Sequence, residues 1–285
     1  MIGLVMEGGA MRSLFTCGVI DVLMENDIWV DGAIGVSAGA GFGCNYVSKQ
    51  PYRPYRYIMR YCKDYRFASI ISLLLTGDLY NNEFIYHRIP DELDPFDFDT
   101  FENSPIDFYS VCTDLVTGKA LYHKFKNGKG KEMEWMRGSA SLPIVSKPIR
   151  VDGKVLLDGG LSDSIPLKFF EKKGYDKNIV VLTRPSFYVK EPATYMPIVR
   201  VALKDYPNAV KAIENRPAMY NNTVRYIKKR EKEGAAFVIR PRGEVRIGSV
   251  SHNRKELRRV YLMGRETAQQ RLNELKEWMS AAAFL

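Results

Sequence analysis

Histidine and cysteine are scarce in this sequence. Its 285 residues include four cysteines and three histidines. The cysteines have no Cys-x-x-Cys spacing, which indicates buried thiols rather than disulfides or metal ligands. No two histidines are close enough to form a metal-binding pair on one helix, so we expect neither a metal nor another cofactor. These residues are Cys17, Cys44, Cys62, Cys112, His87, His123 and His252.

The sequence also has no long hydrophobic run. The longest one, residues 70–75, is interrupted by Ser72 and is far too short to span a bilayer. The first residues have the pattern of a strand, without the basic segment and long apolar run of a secretory signal peptide. We therefore expect a reduced, cytoplasmic protein.

Acidic residues are outnumbered by basic ones. Lysine and arginine total 42 against 33 aspartates and glutamates, which gives a net charge of +9. This excess indicates an anionic partner such as a phosphate-bearing lipid, a membrane surface or nucleic acid, although it also fits a role in solubility alone. The apolar fraction of 46% and the charged fraction of 26% are ordinary for a globular protein.

The first forty residues predict a β-α-β unit. Residues 2–7 form a short apolar run, and Gly8-Gly9-Ala10 follows. A helical pattern comes next, and residues 31–36 form a second apolar run. Because strands joined through a helix pair in parallel, we expect an α/β fold with a mainly parallel central sheet flanked by helices.

The second strand leads into Gly35-Val36-Ser37-Ala38-Gly39. Gly-x-Ser-x-Gly between a strand and a helix is typical of a nucleophile elbow, in which a sharp turn exposes the serine hydroxyl. Gly35 and Gly39 are small enough for that turn, and the helix N-terminus favours negative charge at Ser37. The same five residues also fit a glycine-rich turn with an incidental serine.

The Gly8-Gly9-Ala10 loop is expected at the same sheet edge as Ser37. Its N–H groups can face a developing oxyanion, and Arg12 adds a positive charge. A phosphate-binding loop is the alternative, but neither G-x-G-x-x-G nor G-x-x-x-x-G-K-[ST] is present. We favour the oxyanion role.

Residues 151–158 predict a hairpin with Asp152-Gly153 at its turn. Its second strand delivers Asp158, followed by Gly159 and Gly160. An aspartate at the end of an apolar strand fits either a simple turn former or a catalytic group at the sheet edge. With Ser37 and the glycine loop in the same chain, we favour the catalytic role.

Residues 51–90 differ in character from the rest, and we interpret them as a cap over the site. Tyrosines alternate with cations over 52–66, a mixture that suits peripheral contact with an anionic membrane. It also fits base stacking in nucleic-acid binding or a plain solvated helix; of these partners we favour lipid. The residues are Tyr52, Arg53, Tyr55, Arg56, Tyr57, Arg60, Tyr61, Lys63, Tyr65 and Arg66.

The C-terminal part, about 194–285, has helical patterns with breaks expected at Pro197, Pro207 and Pro217. A final helix is predicted over about 255–279, where Gly264 lies on the apolar stripe and would allow close packing. No linker marks a boundary, so we expect one domain over residues 1–285.

Together, Glu7-Gly8-Gly9-Ala10-Met11-Arg12, Gly35–Gly39 and Asp158-Gly159-Gly160 resemble the motifs of the patatin-like phospholipase family. The resemblance covers about residues 2–183 and implies a three-layer sandwich with a Ser–Asp dyad that hydrolyses acyl esters of lipids. By position, it implies Ser37 as nucleophile and Asp158 as base. Gly8, Gly9, Ala10 and Arg12 would form the oxyanion region.

The sequence departs from the family pattern at Ala10, where a third glycine is usual. Alanine keeps its N–H, so we expect the oxyanion role to survive if its φ stays negative. Asp163 and Ser164 stand before Pro166, where the family often has asparagines.

Two alternatives remain at this stage. The first is a Ser-His-Asp esterase that uses His252 or His123, although only one strand precedes the elbow strand. The second is a basic lipid- or nucleic-acid-binding protein without catalysis.

Overall fold

An eight-stranded sheet forms the centre of the computed structural model, which describes residues 1–281. The strand order is β5-β6-β3-β2-β1-β7-β8, and β4 pairs with β3 outside this path. The strands are β1 (Ile2–Met6), β2 (Gly32–Val36), β3 (Asp107–Asp114), β4 (Ala120–Phe125), β5 (Ile149–Val151), β6 (Lys154–Asp158), β7 (Lys177–Val181) and β8 (Ala236–Ile239).

The middle of the sheet is parallel. The strands β3, β2, β1, β7 and β8 pair in parallel, whereas β4, β5 and β6 pair antiparallel. Every residue of β2 is buried, as expected for a parallel strand covered on both faces. The predicted α/β fold with a mainly parallel sheet is therefore confirmed.

Helices cover both faces of this sheet. Leu4 and Met6 of β1 join one apolar core, whereas Val5 between them joins the other, because successive side chains of a strand point to opposite faces. The helices are α1 (Leu14–Glu25), α2 (Ala38–Val47), α3 (Arg53–Tyr61), α4 (Ile70–Thr76), α5 (Phe98–Glu102), α6 (Lys131–Ala140), α7 (Leu167–Lys172), α8 (Met196–Ala202), α9 (Pro207–Lys232), α10 (Arg254–Gln270) and α11 (Leu272–Ser280). Two 3-10 helices, Ala10–Ser13 and Gly159–Leu161, and a π-helical segment, Phe84–Leu93, complete the helices of the described residues.

Two expectations for the C-terminal part are wrong. The helix predicted over 255–279 is divided at Arg271, whose guanidinium turns to the Val238 carbonyl of β8 at 2.6 Å. The break expected at Pro217 is absent, since α9 continues through it. Buried contacts of α9 residues such as Ile213 and Tyr220 outweigh the hydrogen bond that proline cannot donate.

The segment 51–90 uses several of its polar residues internally. Arg53 and Tyr57 are buried, and the Arg56 guanidinium pairs with Asp94 at 2.7 Å. The Tyr55 ring stacks on that of Tyr261, with centroids 4.0 Å apart. Apolar exposure is instead concentrated on α4, where Leu74 is 80% exposed.

No helix in the part of the chain that the structure describes is both long and apolar enough to cross a membrane. The four cysteines are free thiols, and three of them are buried as expected.

The contact between α1 and α10 depends on two glycines. A Cβ on Gly264 would lie 2.0 Å from the Phe15 carbonyl oxygen, and one on Gly18 would lie 2.2 Å from the Tyr261 carbonyl oxygen. Both distances are far below van der Waals contact, so the helices meet backbone to backbone. The close packing expected at Gly264 is confirmed.

We predict that Gly264→Ala destabilises the protein by about 1–3 kcal/mol, because the two helices must separate. Gly41→Ala is the matched control, since Gly41 also lies in a helix but its Cβ would meet no atom within 4 Å. There the higher helix propensity of alanine should stabilise by roughly 0.5–1 kcal/mol. Urea unfolding measures both changes, and equal effects would contradict this account of the helix contact.

Candidate active site

Ser37 occupies the turn between β2 and α2. Its φ of 56° and ψ of −128° are rare for a residue with a side chain, as expected at a nucleophile elbow. The turn leaves no room for side chains on its flanks: a Cβ on Gly35 would lie 2.4 Å from the Ala40 nitrogen, and one on Gly39 would lie 2.7 Å from the Met6 carbonyl oxygen. The Ser37 N–H donates to Ser139 Oγ at 3.0 Å, which fixes the turn to the end of α6.

The glycine loop after β1 lies directly against the elbow. A Cβ on Gly8 would come within 3.0 Å of Ser37 Cβ, so only glycine permits this approach. Among the described residues, the N–H groups of Gly8, Gly9 and Ala10 donate to no protein acceptor. All three residues line a cavity that Ser37 also lines, so these donors are available to a group bound there.

Ala10 corrects one expectation, because its φ is +48° rather than negative. The chain enters the short helix Ala10–Ser13 directly from the loop, and this turn requires the left-handed region. Alanine tolerates that region at a cost of roughly 1–2 kcal/mol. Its N–H stays available, so the departure from the usual glycine does not remove the donor.

Sheet pairing brings Asp158 to Ser37. The strand β4 occupies one edge of β3 over residues 108–113, so β2 and β6 share the other edge. Along that edge, β2 ends at the pair Val36–Val111 and β6 ends at the pair Cys112–Asp158. The two strands meet end to end along one side of β3, so their last residues, Val36 and Asp158, are paired with consecutive residues of β3.

The Asp158 carboxyl is buried, with 2% exposure of the residue. Its Oδ1 accepts the Gly160 N–H at 2.7 Å, and Gly159 leaves no room for a side chain because a Cβ would lie 2.2 Å from the Val111 carbonyl oxygen. Burial raises the pKa of Asp158, and the Ser37 hydroxyl and the Arg216 charge offset this effect in part. A carboxyl with a raised pKa beside a serine is suited to accept its proton.

Glu7 anchors the glycine loop, a role that sequence reasoning missed. Its carboxylate accepts the Thr183 N–H at 2.6 Å and the Tyr220 hydroxyl at 2.7 Å. It thereby joins the loop to the end of β7 and to α9. In the sequence, Glu7 is recognisable only as the last residue of a predicted strand, which does not indicate its role in holding the loop.

An apolar cavity of about 150 Å³ opens from Ser37 toward the segment 51–90. Its apolar lining suits a hydrocarbon chain. Residues from the elbow helix, the predicted cap segment and α6 line it, including Phe42, Tyr57, Tyr86, Ile89, Phe96 and Met136.

A second cavity, of about 220 Å³, is also lined by Ser37. The predicted residues Asp158 and Arg12 line it together with Gly8, Gly9 and Ala10, and Glu7 lines it as well. The sequence analysis did not assign Arg184, Lys190 or Arg216 to the site, although all three line this cavity. They follow Asp158-Gly159-Gly160 in the sequence and belong to no recognisable motif.

The histidines lie elsewhere. His252 contacts the Cys62 carbonyl through Nδ1, and the His123 ring stacks on Trp135 with centroids 4.6 Å apart. Neither residue lines either cavity at Ser37. The geometry therefore offers Ser37 an aspartate rather than a histidine.

Comparison with known proteins agrees with the motifs. A family model described as patatin-like phospholipase matches residues 4–170, and one described as a domain of unknown function (DUF6363) matches residues 206–280. The chain therefore belongs to the patatin-like phospholipase family and is a lipid acyl hydrolase by class.

Several relatives are similar at low identity. The uncharacterized protein YjjU of Escherichia coli is 26% identical, over 93% of this chain and 75% of its own length. Lysophospholipase nte1 of Aspergillus niger is 28% identical over 61% of this chain, which corresponds to only 11% of that protein. The chain thus spans a small part of the lysophospholipase that it matches.

The structure of VipD from Legionella pneumophila has a similar fold, with a TM-score of 0.50. The similarity covers 95% of this chain and 66% of VipD at 15% sequence identity. At this identity the likeness concerns the fold, and it agrees with the expected patatin-like sandwich.

We predict that Asp158→Asn stabilises the protein near neutral pH. The pKa of Asp158 is raised in the folded protein above its value in the unfolded chain. Protonation of Asp158 therefore adds to the free energy of unfolding of the wild type at low pH, and this stabilisation is lost as pH rises through the folded pKa. The variant should therefore unfold at a higher temperature than wild type at pH 8. Its advantage should shrink as pH falls toward the ordinary aspartate value of about 4.

The control for this prediction is Asp205→Asn, which alters an exposed aspartate far from the sheet edge. Thermal unfolding monitored by circular dichroism at several pH values measures both variants. A lower unfolding temperature for Asp158→Asn at pH 8 would show that burial does not penalise this carboxylate.

Proposed function

We propose that the protein cleaves acyl esters of lipids through a Ser37–Asp158 dyad and an acyl-enzyme. The observation that carries this proposal is the end-to-end meeting of β2 and β6, which places a buried carboxyl beside the elbow serine. The open N–H groups of Gly8, Gly9 and Ala10 on the same side supply the oxyanion donors.

The reaction proceeds in two balanced steps. Asp158 accepts the proton of Ser37 while Oγ attacks the ester carbonyl carbon, and the loop N–H groups stabilise the oxyanion. The tetrahedral intermediate collapses, the C–O bond to the alcohol breaks, and Asp158 returns the proton to the leaving alkoxide. Asp158 then takes a proton from water, whose oxygen attacks the acyl-enzyme; breakdown returns that proton to Ser37 and releases the fatty acid.

The substrate class follows from the apolar cavity beside Ser37. It is lined by aromatic and aliphatic side chains and suits the acyl chain of a lipid. We infer a phospholipase A or lysophospholipase type of activity in lipid metabolism. The similarity to a lysophospholipase supports this type.

We further propose that the protein works in the cytoplasm and touches membranes peripherally. The exposed side chains of α4, together with the exposed part of the Tyr/Arg-rich stretch 52–66, favour such contact. Residues 51–90 then act as a cap within one patatin-like domain, whose described residues from 194 to 281 are mainly helical apart from β8. The exposed apolar residues are Ile70, Ile71, Leu74 and Leu75.

The alternatives are less well supported. A Ser-His-Asp triad needs a histidine at Ser37, and His252 instead contacts the Cys62 carbonyl. A binding protein without catalysis has no need for a buried carboxyl beside an elbow serine.

We predict that a fluorophosphonate probe labels wild type at Ser37 and fails to label Ser37→Ala. The elbow geometry and open oxyanion donors activate this serine alone. Gel fluorescence and mass spectrometry of the adduct provide the measurement. Ser139→Ala is a matched control, because Ser139 is nearby but its Oγ accepts the Ser37 N–H, and the variant should retain labelling at a reduced rate.

We predict that Asp158→Asn lowers kcat on a short-chain ester by about 10²–10⁴-fold, the range typical of a lost general base. His252→Ala should retain activity within a few-fold, because His252 lies outside both cavities. Steady-state hydrolysis with matched folded protein measures both. The reverse pattern would replace the dyad by a triad.

A further inference from the structure

Four cations converge on the second cavity beside Ser37. Arg12 comes from the short helix after the glycine loop, and Arg184 and Lys190 come from the segment after β7. Arg216 comes from α9. Among the residues that the structure describes, two carboxylates, Glu7 and Asp158, line the same cavity.

These four side chains are not neutralised by ion pairs. Within residues 1–281, none of them forms a salt bridge or a side-chain hydrogen bond. The Nε atoms of Arg12 and Arg216 are buried without a partner. By contrast, Arg230 and Arg265 elsewhere in the protein pair with carboxylates at 2.7 Å. Buried guanidinium donors without partners are costly unless a ligand satisfies them.

The two carboxylates of the cavity are already engaged. Glu7 accepts hydrogen bonds from Thr183 and Tyr220, and Asp158 accepts one from Gly160. The cavity therefore keeps an excess of positive charge. Burial and the neighbouring Arg216 lower the pKa of Lys190 to about 8, as expected where cations repel each other without a counter-ion.

The cations are held in place by other contacts. The Arg184 guanidinium lies over the Tyr188 ring, 4.3 Å from its centroid, and Lys190 Nζ lies 5.2 Å from the centroid of Tyr220. The backbone of Lys190 exchanges two hydrogen bonds with the Asn221 side chain, at 2.9 and 3.0 Å. A Cβ added to Gly160 would lie 3.2 Å from Arg216 Nη2. The Arg216 guanidinium therefore reaches the turn that follows Asp158.

We propose that this cavity binds a phosphate group on the alcohol half of the substrate, so that Ser37 acts on acyl esters that carry phosphate. This inference rests on the proposed function. Ala10, Ser37 and Leu142 line both cavities, so an apolar and a cationic cavity adjoin at the serine that attacks the ester carbonyl. The acyl chain enters the first, and the phosphorylated alcohol enters the second. Arginines suit phosphate because their planar donors match its oxygens.

The cations that carry this role lie mostly outside the patatin-like match. Arg184 and Lys190 follow residues 4–170, and Arg216 lies in the region that matches the domain of unknown function. We therefore assign to α9 and the segment before it the recognition of the substrate's alcohol half. The catalytic residues themselves stay within the patatin-like match.

The test compares two substrates that differ only in phosphate: 1-oleoyl lysophosphatidic acid and 1-monooleoylglycerol, both below their aggregation limits. Wild type should show a kcat/KM at least tenfold higher for the phosphorylated ester. Arg216→Gln and Lys190→Gln should each reduce this preference at least fivefold, mainly through KM. Lys211→Gln, which removes an exposed cation from the same helix, should leave the preference unchanged.

A binding measurement separates recognition from catalysis. In Ser37→Ala protein, isothermal titration should show lysophosphatidic acid bound at least tenfold more tightly than the neutral ester. Arg216→Gln in that background should abolish the difference, and Arg216→Lys should restore part of it. Thermal unfolding confirms that each variant is folded, and the Lys190→Gln variant provides an independent test that leaves Arg216 and its effect on Asp158 intact.

Free phosphate distinguishes a headgroup site from a general anion site. Inorganic phosphate should inhibit hydrolysis of the neutral ester competitively, and more weakly in Arg216→Gln. Inhibition by phosphate without any preference for the phosphorylated ester would assign the cavity to a free anion and overturn the inference. Equal hydrolysis of both esters without phosphate inhibition would also overturn it, while the Ser37–Asp158 proposal would stand. Failure of every ester together with absent fluorophosphonate labelling would instead remove the proposed function.

Discussion

The site depends on one backbone arrangement, the shared edge of β3. Pairing with β2 ends at Val111, and pairing with β6 begins at Cys112, so two strands that run in opposite directions end at the same point. This hydrogen-bonded ladder fixes Ser37 and Asp158 relative to each other more firmly than any side-chain contact does. The glycines of the motifs follow from it, because the turns after both strands pass within van der Waals distance of neighbouring backbone.

Burial of Asp158 connects stability with chemistry. A charged carboxylate inside the protein is unfavourable, and the same desolvation raises its pKa and makes it a better proton acceptor. One hydrogen bond from Gly160, the Ser37 hydroxyl and the charge of Arg216 limit this cost. The buried carboxylate therefore lowers the stability of the fold. If hydrogen bonds and charges offset its desolvation in full, its pKa would fall and it would be a weaker base.

Ser37 lines two cavities of different character, one apolar and one cationic. Under the function proposed above, the acyl chain of the substrate occupies the first and the phosphorylated alcohol occupies the second. Different parts of the chain line the two sides. Residues 51–90 contribute to the apolar cavity, whereas the segment after β7 and helix α9 contribute cations to the other. Under the proposed function, change in either part would alter the substrate without altering the Ser37–Asp158 pair.

The sequence by itself determined the local features: the strand-turn-helix at Ser37 and the Asp152-Gly153 hairpin. Each depends on residues close in the chain, so periodicity and turn chemistry suffice to predict it. Only the tertiary structure decided the φ of Ala10, the continuation of α9 through Pro217 and the position of Arg216 at the site. The physical reason is that these depend on contacts between distant segments, where packing and burial override local preference.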